Sequence, residues 1–269
     1  MTARPALEIA VTSPAGARAA RENGADRVEL CAALELGGLT PSAALVEAVA
    51  REGLPVHVLV RCRPGDFVHA AEEITLMAAE VRSVIASGAC GVVIGALTAD
   101  GALDTVAVAR LVEAARASGR PVDITLHRAI DQSADPVATA ALLPSLGLTR
   151  VLTSGGAPTA AEGRETIAAM AAAAPGVQVM AGGGVRPADI PALISAGASA
   201  VHLSAKTRAP TPRGGRWVPL GAGGASAEQD THFVTDPEVV AEARRAVDRS
   251  EAVMAAKPSR GTEAGRRQR

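Results

Sequence analysis

The chain has 269 residues, of which 48% are hydrophobic and 20% are charged, and its formal net charge is −1. This composition supports a sizeable apolar core and excludes a strongly basic surface for nucleic acid or anionic membranes. Aromatic residues make up only 1% of the chain, so stacking platforms for bases and aromatic cages for quaternary amines are excluded as well.

The cysteines and the first residues of the chain indicate the cellular compartment in which the protein is expected. Cys31, Cys62 and Cys90 are widely spaced and form no C-x-x-C pair, which argues against a disulfide framework. The opening MTARPALEIAVTS lacks the long apolar region of a secretory signal, and no apolar run has the length of a membrane span. We therefore expect a cytoplasmic protein whose partners include neither membrane nor nucleic acid.

Short segments rich in Val and Ile recur along the chain and have the length of parallel strands that are buried on both faces. The eight predicted strands are LEIAV (7–11), RVEL (27–30), VHVLV (56–60), GVVIG (91–95), VDITLH (122–127), RVLTS (150–154), VQVMA (177–181) and AVHLS (200–204).

Ala-, Leu-, Glu- and Arg-rich stretches with helical spacing separate these strands, and most of them end in Gly just before the next strand. Eight strand–helix units are the number that closes a parallel barrel without leaving a sheet edge. The alternative, an open doubly wound sheet, usually carries a G-x-G-x-x-G turn after its first strand, where this chain has VTSPAG. The sequence therefore predicts an α/β fold, a single (β/α)8 TIM-type barrel.

The region after residue 204 departs from this pattern. Residues 206–232 are rich in Gly, Pro and Arg and predict a long loop, and Asp236 with Pro237 predicts the start of a last outer helix. We expect the barrel domain to span residues 1–250 and the basic tail 251–269 to be disordered.

Polar residues in one phase of the predicted strands indicate a site, because inward polar side chains are costly unless they are paired or wet. Chemistry in such barrels lies at the carboxyl ends of the strands. This rule places Cys31, Arg61, His127, Ser154 and Ser204 near the mouth, Glu29 at an intermediate level, and Glu8 and His57 deeper. Glu8 and Glu29 are either acid–base groups or buried ion-pair partners of Arg61.

The loop after the fifth strand combines His127, Arg128 and Asp131, that is, an imidazole, a cation and a carboxylate. We predict catalytic roles for His127 and Asp131 together with Glu8 and Glu29. Alternatively, Asp131 caps the following helix.

An anion site is predicted beside these groups. The turn AGGGVRP after the seventh strand allows the backbone of Gly182, Gly183 and Gly184 to approach an anion in front of the next helix. Arg61 and Arg128 would supply positive charge, and Ser154 and Ser204 would supply hydroxyls. In the segment RCRPGDF (61–67), the alternative is a local pair between Arg63 and Asp66.

The chain resembles the CutC family, whose members are described as copper homeostasis proteins. The resemblance rests on segments that run in order from about residue 6 to residue 206, and the most specific are NGADRVELC with GGLTPS, HRAID, RVLTSGG and AGGGVRP. It implies a TIM-type barrel, a homodimer and a role in copper control.

The metal prediction follows from this resemblance. Copper(I) favours thiolate and thioether ligands, so Cys31 and Cys62, aided by His127 or Met180, are the candidate ligands. Cys31 matches the family's E-L-C motif, Ala10 stands where family members often carry Cys, and Cys62 stands at a usual Pro.

Two hypotheses about function follow. The first is a protein that binds copper(I). The second is a barrel enzyme or binding protein for a small anionic metabolite, such as a phosphorylated one, that uses the Glu, His and Arg residues at the strand ends. The sequence contains neither an H-E-x-x-H motif nor a G-x-S-x-G motif, and no reaction is assigned.

Overall fold

All eight predicted strands are present in the computed structural model, which describes residues 4–209 and 232–256. They pair in chain order, all in parallel, and β8 closes the barrel against β1. The single (β/α)8 barrel is therefore confirmed, and an open doubly wound sheet is excluded. The strands are β1 (Ala6–Val11), β2 (Arg27–Leu30), β3 (Val56–Leu59), β4 (Gly91–Ile94), β5 (Asp123–Leu126), β6 (Arg150–Thr153), β7 (Gln178–Gly182) and β8 (Ala200–Leu203).

The helices surround the barrel, and their ends follow the sequence signals. Asp236 caps the last helix, as predicted, by accepting a hydrogen bond from the backbone N–H of Glu238 at 2.9 Å. Gly147 ends α5 with φ of +78°, a conformation that costs glycine little. The helices are α1 (Pro14–Glu22), α2 (Ala43–Ala50), α3 (Ala71–Ala86), α4 (Thr105–Arg116), α5 (Pro136–Leu146), α6 (Arg164–Ala173), α7 (Ile190–Ser195) and α8 (Pro237–Ala256).

The main apolar core lies between the barrel and the helices. Strand residues such as Leu7, Ile9 and Val28 are fully buried there with helix residues such as Leu111 and Ile167. Burying each of these large side chains contributes about 1.5–3 kcal/mol. The opposite phase of the same strands faces the barrel interior, and there polar residues replace apolar ones.

The C-terminal region differs from the expectation of one long loop. Lys206–Arg208 and Phe233–Thr235 form two short antiparallel strands, β9 and β10. The Lys206 ammonium lies 4.4 Å from the centre of the Phe233 ring, and this contact helps hold the pair together. The rest of the predicted loop, 210–231, lies outside the described residues.

The predicted domain boundary at residue 250 falls inside α8, which continues to Ala256. The remainder of the predicted tail, 257–269, lies outside the described residues. In the part of the chain that the structure describes, no helix combines the length and apolarity needed to cross a bilayer.

Candidate functional site

Glu8 anchors a charged network deep in the barrel. Its side chain is fully buried and forms an ion pair with Arg27 on the neighbouring strand. Its other oxygen lies 2.8 Å from Nδ1 of His202. Burial alone would raise the pKa of Glu8, but Arg27, His202 and His57 hold it well below the usual range. Glu8 is thus a buried anion that orients His202, and its predicted ion pair with Arg61 is wrong.

A second charged group lies on the other side of the interior. Nη1 of Arg150 lies 3.2 Å from Nδ1 of His57, and Nη2 donates to Asp123 at 3.2 Å. Burial lowers the pKa of His57 to about 4, because desolvation and the cations Arg150 and Arg27 outweigh Glu8 and Asp123. His57 is therefore a neutral structural residue at physiological pH.

A cavity of about 230 Å³ lies above this network, at the carboxyl ends of the strands. Its walls are mixed: apolar side chains such as Leu59, Leu152 and Phe67 alternate with polar ones. Several of the predicted site residues line this cavity: Glu29, Arg61, His127, Arg128, Gly183, Gly184 and Ser204. Small-molecule sites have this composition, in which a few polar groups converge within an apolar pocket.

Arg61 is a buried cation without a carboxylate partner among the described residues. It is 7% exposed, and its terminal nitrogens donate to three backbone carbonyls, those of Leu36, Gly38 and Gly65. Its Nε is buried and has no hydrogen-bond partner in the described chain. By contrast, Arg27 and Arg150 both pair with carboxylates. The fixed guanidinium therefore presents one N–H and an uncompensated positive charge.

His127 lines the same cavity and carries a second buried donor without a partner in the described chain. Its Nδ1 accepts a hydrogen bond from the backbone N–H of Ala129 at 3.1 Å, so the proton of the neutral ring lies on Nε2. Burial lowers the pKa of His127 to about 3, with additional contributions from Arg61 and His69, and the ring is neutral at physiological pH. Its Nε2 is buried and has no partner among the described residues. His127 is thus suited to donate a hydrogen bond rather than to act as a base.

Glu29 and His202 supply the titratable groups of the cavity. Burial raises the pKa of Glu29 to about 7, because desolvation and the neighbouring Glu8 outweigh His202 and Arg27. Burial disfavours the His202 imidazolium, but Glu29 and Glu8 outweigh this effect and raise its pKa. After Arg61 Nε and His127 Nε2, Oε2 of Glu29 is the third buried polar atom without a partner among the described residues that line the cavity. A carboxyl group that titrates near neutral pH is suited to proton transfer.

Asp131 holds the cavity wall and does not line the cavity. Its carboxylate accepts from the backbone N–H of Ser154 and Gly156 and from the hydroxyl of Thr153, and Arg128 Nε lies 2.7 Å from it. Its alternative role as a helix cap is wrong, because Asp135 caps α5. Asp131 and Ser154 therefore position Arg128, whose Nη2 donates to the Ser154 hydroxyl at 2.8 Å.

The glycine turn after β7 brings backbone close to Arg128. Gly183 has φ of +105°, and a Cβ there would lie 3.0 Å from the Arg128 guanidinium carbon. Gly182 packs against Leu152 and His202 below the cavity. The expected helix dipole is not supported, since the turn leads into a short 3-10 segment, Pro187–Asp189, before the six-residue α7.

The structure does not bring the two predicted copper ligands together. The Cys31 thiol is buried beside Leu59 and Val93 in the cavity wall, and burial with Glu29 and Glu35 raises its pKa to about 12. Cys62 packs against the helix-facing core, and the Met180 sulfur accepts from Arg27. Among the described residues, Cys31 belongs to no cluster of three potential ligands. These residues do not fit a two-thiolate copper(I) site.

Arg27 and Arg150 were missed by the sequence interpretation, although both belong to the interior network. Each begins its strand after a polar turn, a position that is typical of solvent-exposed arginines. Their positions in the strands would have identified them. Arg27 lies on the same, inward face of β2 as Glu29 and Cys31, and Arg150 lies on the same face of β6 as Leu152. In the loop after β3, the alternative of a local pair is observed, since Arg63 lies 3.1 Å from Asp66.

Gly95, which follows β4, makes room for His127. A Cβ at this position would overlap the imidazole ring. Gly95 does not have a positive φ, so glycine is required here for the space and not for the backbone conformation. We expect Gly95→Ala to lower the free energy of unfolding by about 1–3 kcal/mol, measured by urea denaturation. In a His127→Ala background the same change should cost much less. Equal costs in the two backgrounds would contradict this packing.

A closed parallel barrel with a polar cavity at the carboxyl ends of its strands defines the class: a TIM-type (β/α)8 barrel protein. The family model described as "CutC family" matches residues 6–207. The chain belongs to the CutC family.

Known relatives agree with this assignment. A "family protein CutC" from Xylella fastidiosa (strain Temecula1) is 48% identical over 205 residues, which cover 75% of each chain. Its counterpart from Agrobacterium fabrum is 45% identical over 189 residues, covering 70% of this chain and 74% of the relative. A crystal structure from Streptococcus agalactiae, provisionally described as a copper homeostasis protein CutC, is 25% identical with a TM-score of 0.68 and covers 74% of this chain and 98% of its own.

Proposed function

We propose that the barrel cavity binds a small anionic metabolite and that Glu29 exchanges a proton with it. The observation that carries this proposal is the buried cation Arg61, whose described partners are carbonyls and no carboxylate. A buried charge is stable only when it is paired, so a ligand carboxylate, phosphate or sulfate is the natural counter-ion.

The neighbouring groups favour the same ligand. Nε of Arg61 and Nε2 of His127 are donors, and both lie buried without partners in the described chain. Arg128 is 43% exposed at the same cavity, and the backbone of Gly183 and Gly184 completes one wall. The apolar side chains Leu59 and Leu152 leave room for a short carbon skeleton. The set fits an anionic group with a short organic chain better than a metal ion.

Sulfate binding, measured by isothermal titration calorimetry at constant ionic strength, tests this proposal. We expect saturable binding to the wild-type protein and a loss of about 10- to 100-fold in affinity for Arg61→Met and for Arg128→Gln, because each removes a hydrogen bond to a charged group. Arg51→Gln is the control, since Arg51 is an exposed residue that pairs with Glu47. Absence of saturable binding to the wild type, or a wild-type affinity in both Arg61→Met and Arg128→Gln, would contradict the anion site.

Copper(I) binding, which the family resemblance implies, has less support than the anion site, and the homodimer that it also implies stays a prediction. The thiols of Cys31 and Cys62 lie in different clusters, and the high pKa of Cys31 opposes the thiolate that copper(I) requires. We expect copper(I) affinity in reducing buffer to be the same in wild type and in Cys31→Ala, because the two-thiolate site requires Cys31. A loss of binding in Cys31→Ala would restore the copper hypothesis.

A further inference from the structure

Three potential metal ligands meet outside the barrel cavity. Cys62 lies in the loop after β3, His69 lies just before α3, and Glu73 lies in the first turn of α3. Their donor atoms all lie within 4.8 Å of one another. Nδ1 of His69 is 4.0 Å from Sγ of Cys62 and 3.6 Å from Oε2 of Glu73.

His69 is a buried imidazole without a hydrogen bond of ordinary length. Its side chain is 0% exposed. Its Nδ1 faces the cluster and lies 3.6 Å from Glu73 Oε2, beyond the roughly 2.7–3.2 Å of an N–H···O hydrogen bond, and 4.0 Å from Cys62 Sγ, a long contact. Its Nε2, on the other edge of the ring, has no hydrogen-bond partner among the described residues. An ion at the centre of the cluster would give Nδ1 a stronger partner than either of its present contacts.

The spacing of the donor atoms suits a common metal ion. Bond lengths of about 2.0–2.3 Å around tetrahedral zinc separate neighbouring ligand atoms by roughly 3.3–3.8 Å, so the donor atoms would draw together by up to about 1 Å on binding. We propose that Cys62, His69 and Glu73 form a binding site for a divalent ion of the zinc type, with water as the fourth ligand. One sulfur, one nitrogen and one oxygen donor favour zinc over copper(I), which prefers several soft ligands.

The surroundings hold the carboxylate in place. Arg63 Nε lies 2.5 Å from Oε1 of Glu73, and the backbone N–H of Ala70 donates to Oε2 at 2.8 Å. Outer hydrogen bonds of this kind orient ligating carboxylates, and Oε2 keeps a lone pair for the ion. The positive charge of Arg63 opposes the ion, and loss of the Cys62 proton to solvent on binding offsets this repulsion.

A bound ion would tie the loop after β3 to the start of α3. That loop carries Arg61 and Phe67, and the two side chains contact each other at the cavity. The site is separate from the anion cavity and does not depend on the proposed function.

Cobalt(II) added to the full-length, metal-free protein tests the site. We expect one equivalent to produce a thiolate-to-cobalt charge-transfer band that zinc then displaces. Cys62→Ser should abolish the band, His69→Gln should weaken binding by at least about tenfold, and Cys31→Ser, the matched thiol control, should leave both unchanged. Circular dichroism of the metal-free variants verifies that they fold. A wild-type protein without the band, or a band that persists in Cys62→Ser, would overturn the proposal.

Discussion

Replacing Glu8 by Gln is expected to lower the free energy of unfolding by about 3–5 kcal/mol, which makes it one of the most destabilising single changes in the barrel. Glu8 is 0% exposed, and its partner Arg27 has a side chain that is 9% exposed. The amide keeps the shape of the carboxylate but leaves the Arg27 charge buried and unpaired. Urea denaturation at pH 7 measures the effect.

A double variant distinguishes the buried charge from simple packing. Glu8→Gln/Arg27→Met removes both charges, and much of the lost stability should return. Glu47→Gln is the surface control: Glu47 pairs with Arg51 at 3.7 Å, both side chains are mostly exposed, and the change should stay within about 0.5 kcal/mol. A loss below about 1 kcal/mol in Glu8→Gln would contradict the role of Glu8 as the anchor of the interior.

The same ion pair has a consequence for acid stability. The pKa of Glu8 lies well below its usual range in the folded protein because Arg27, His202 and His57 surround it. Its contribution is therefore present above the unfolded pKa of about 4.3 and is lost as the pH falls toward the folded value. The Glu8→Gln variant should show a smaller loss of stability between pH 5 and pH 3 than the wild type, on the order of 1 kcal/mol or more.

Sulfate affinity is expected to fall as the pH rises above 7. Each group that must be protonated for sulfate to bind contributes a fall of up to about tenfold per pH unit. The pKa of Glu29 is raised to about 7 by burial, so Glu29 is neutral below that pH and negatively charged above it. A charged Glu29 repels an anion in the same cavity. His202 titrates in the same direction, because loss of its proton removes a positive charge. Sulfate itself keeps its charge across this range.

Calorimetric titrations from pH 6 to pH 9 separate these groups. Glu29→Gln should bind sulfate at pH 9 more tightly than the wild type and should show a shallower pH dependence, with the remainder due to His202. Glu52→Gln is the control, because Glu52 pairs with Arg18 at the surface. An affinity that is independent of pH in the wild type, or a pH dependence unchanged in Glu29→Gln, would contradict the assignment of Glu29.

The sequence predicts the barrel well because each element carries its own local signal. β4 illustrates this: four apolar residues between Cys90 and Gly95 have no plausible role except a buried strand. Asp236 and Pro237 mark the start of α8 in the same local way. Strand phase then correctly places Glu29, Arg61 and His127 at one cavity, because successive side chains of a strand point to opposite faces and the position in the strand therefore determines the face.

The partners of these residues could not be predicted, because they depend on contacts between distant strands. One of the two alternatives for Glu8 and Glu29 paired them with Arg61, but Arg61 donates to loop carbonyls instead. Glu8 pairs with Arg27, because the register of β1 and β2 places these two residues side by side. Asp131 accepts hydrogen bonds from the last residue of β6 and from the loop after it, twenty or more residues away in sequence. Such contacts depend on loop conformation, which residue type and spacing do not specify.

The cavity itself is tested most directly by a crystal structure of the protein grown or soaked in sulfate. The anion-site proposal predicts a sulfate ion in hydrogen-bond contact with Nε of Arg61 and Nε2 of His127, with Arg128 on its outer side, and loss of this ion in crystals of Arg61→Met. A cavity that excludes sulfate in the wild type, or one in which a carboxylate of the protein has moved to pair with Arg61, would contradict it.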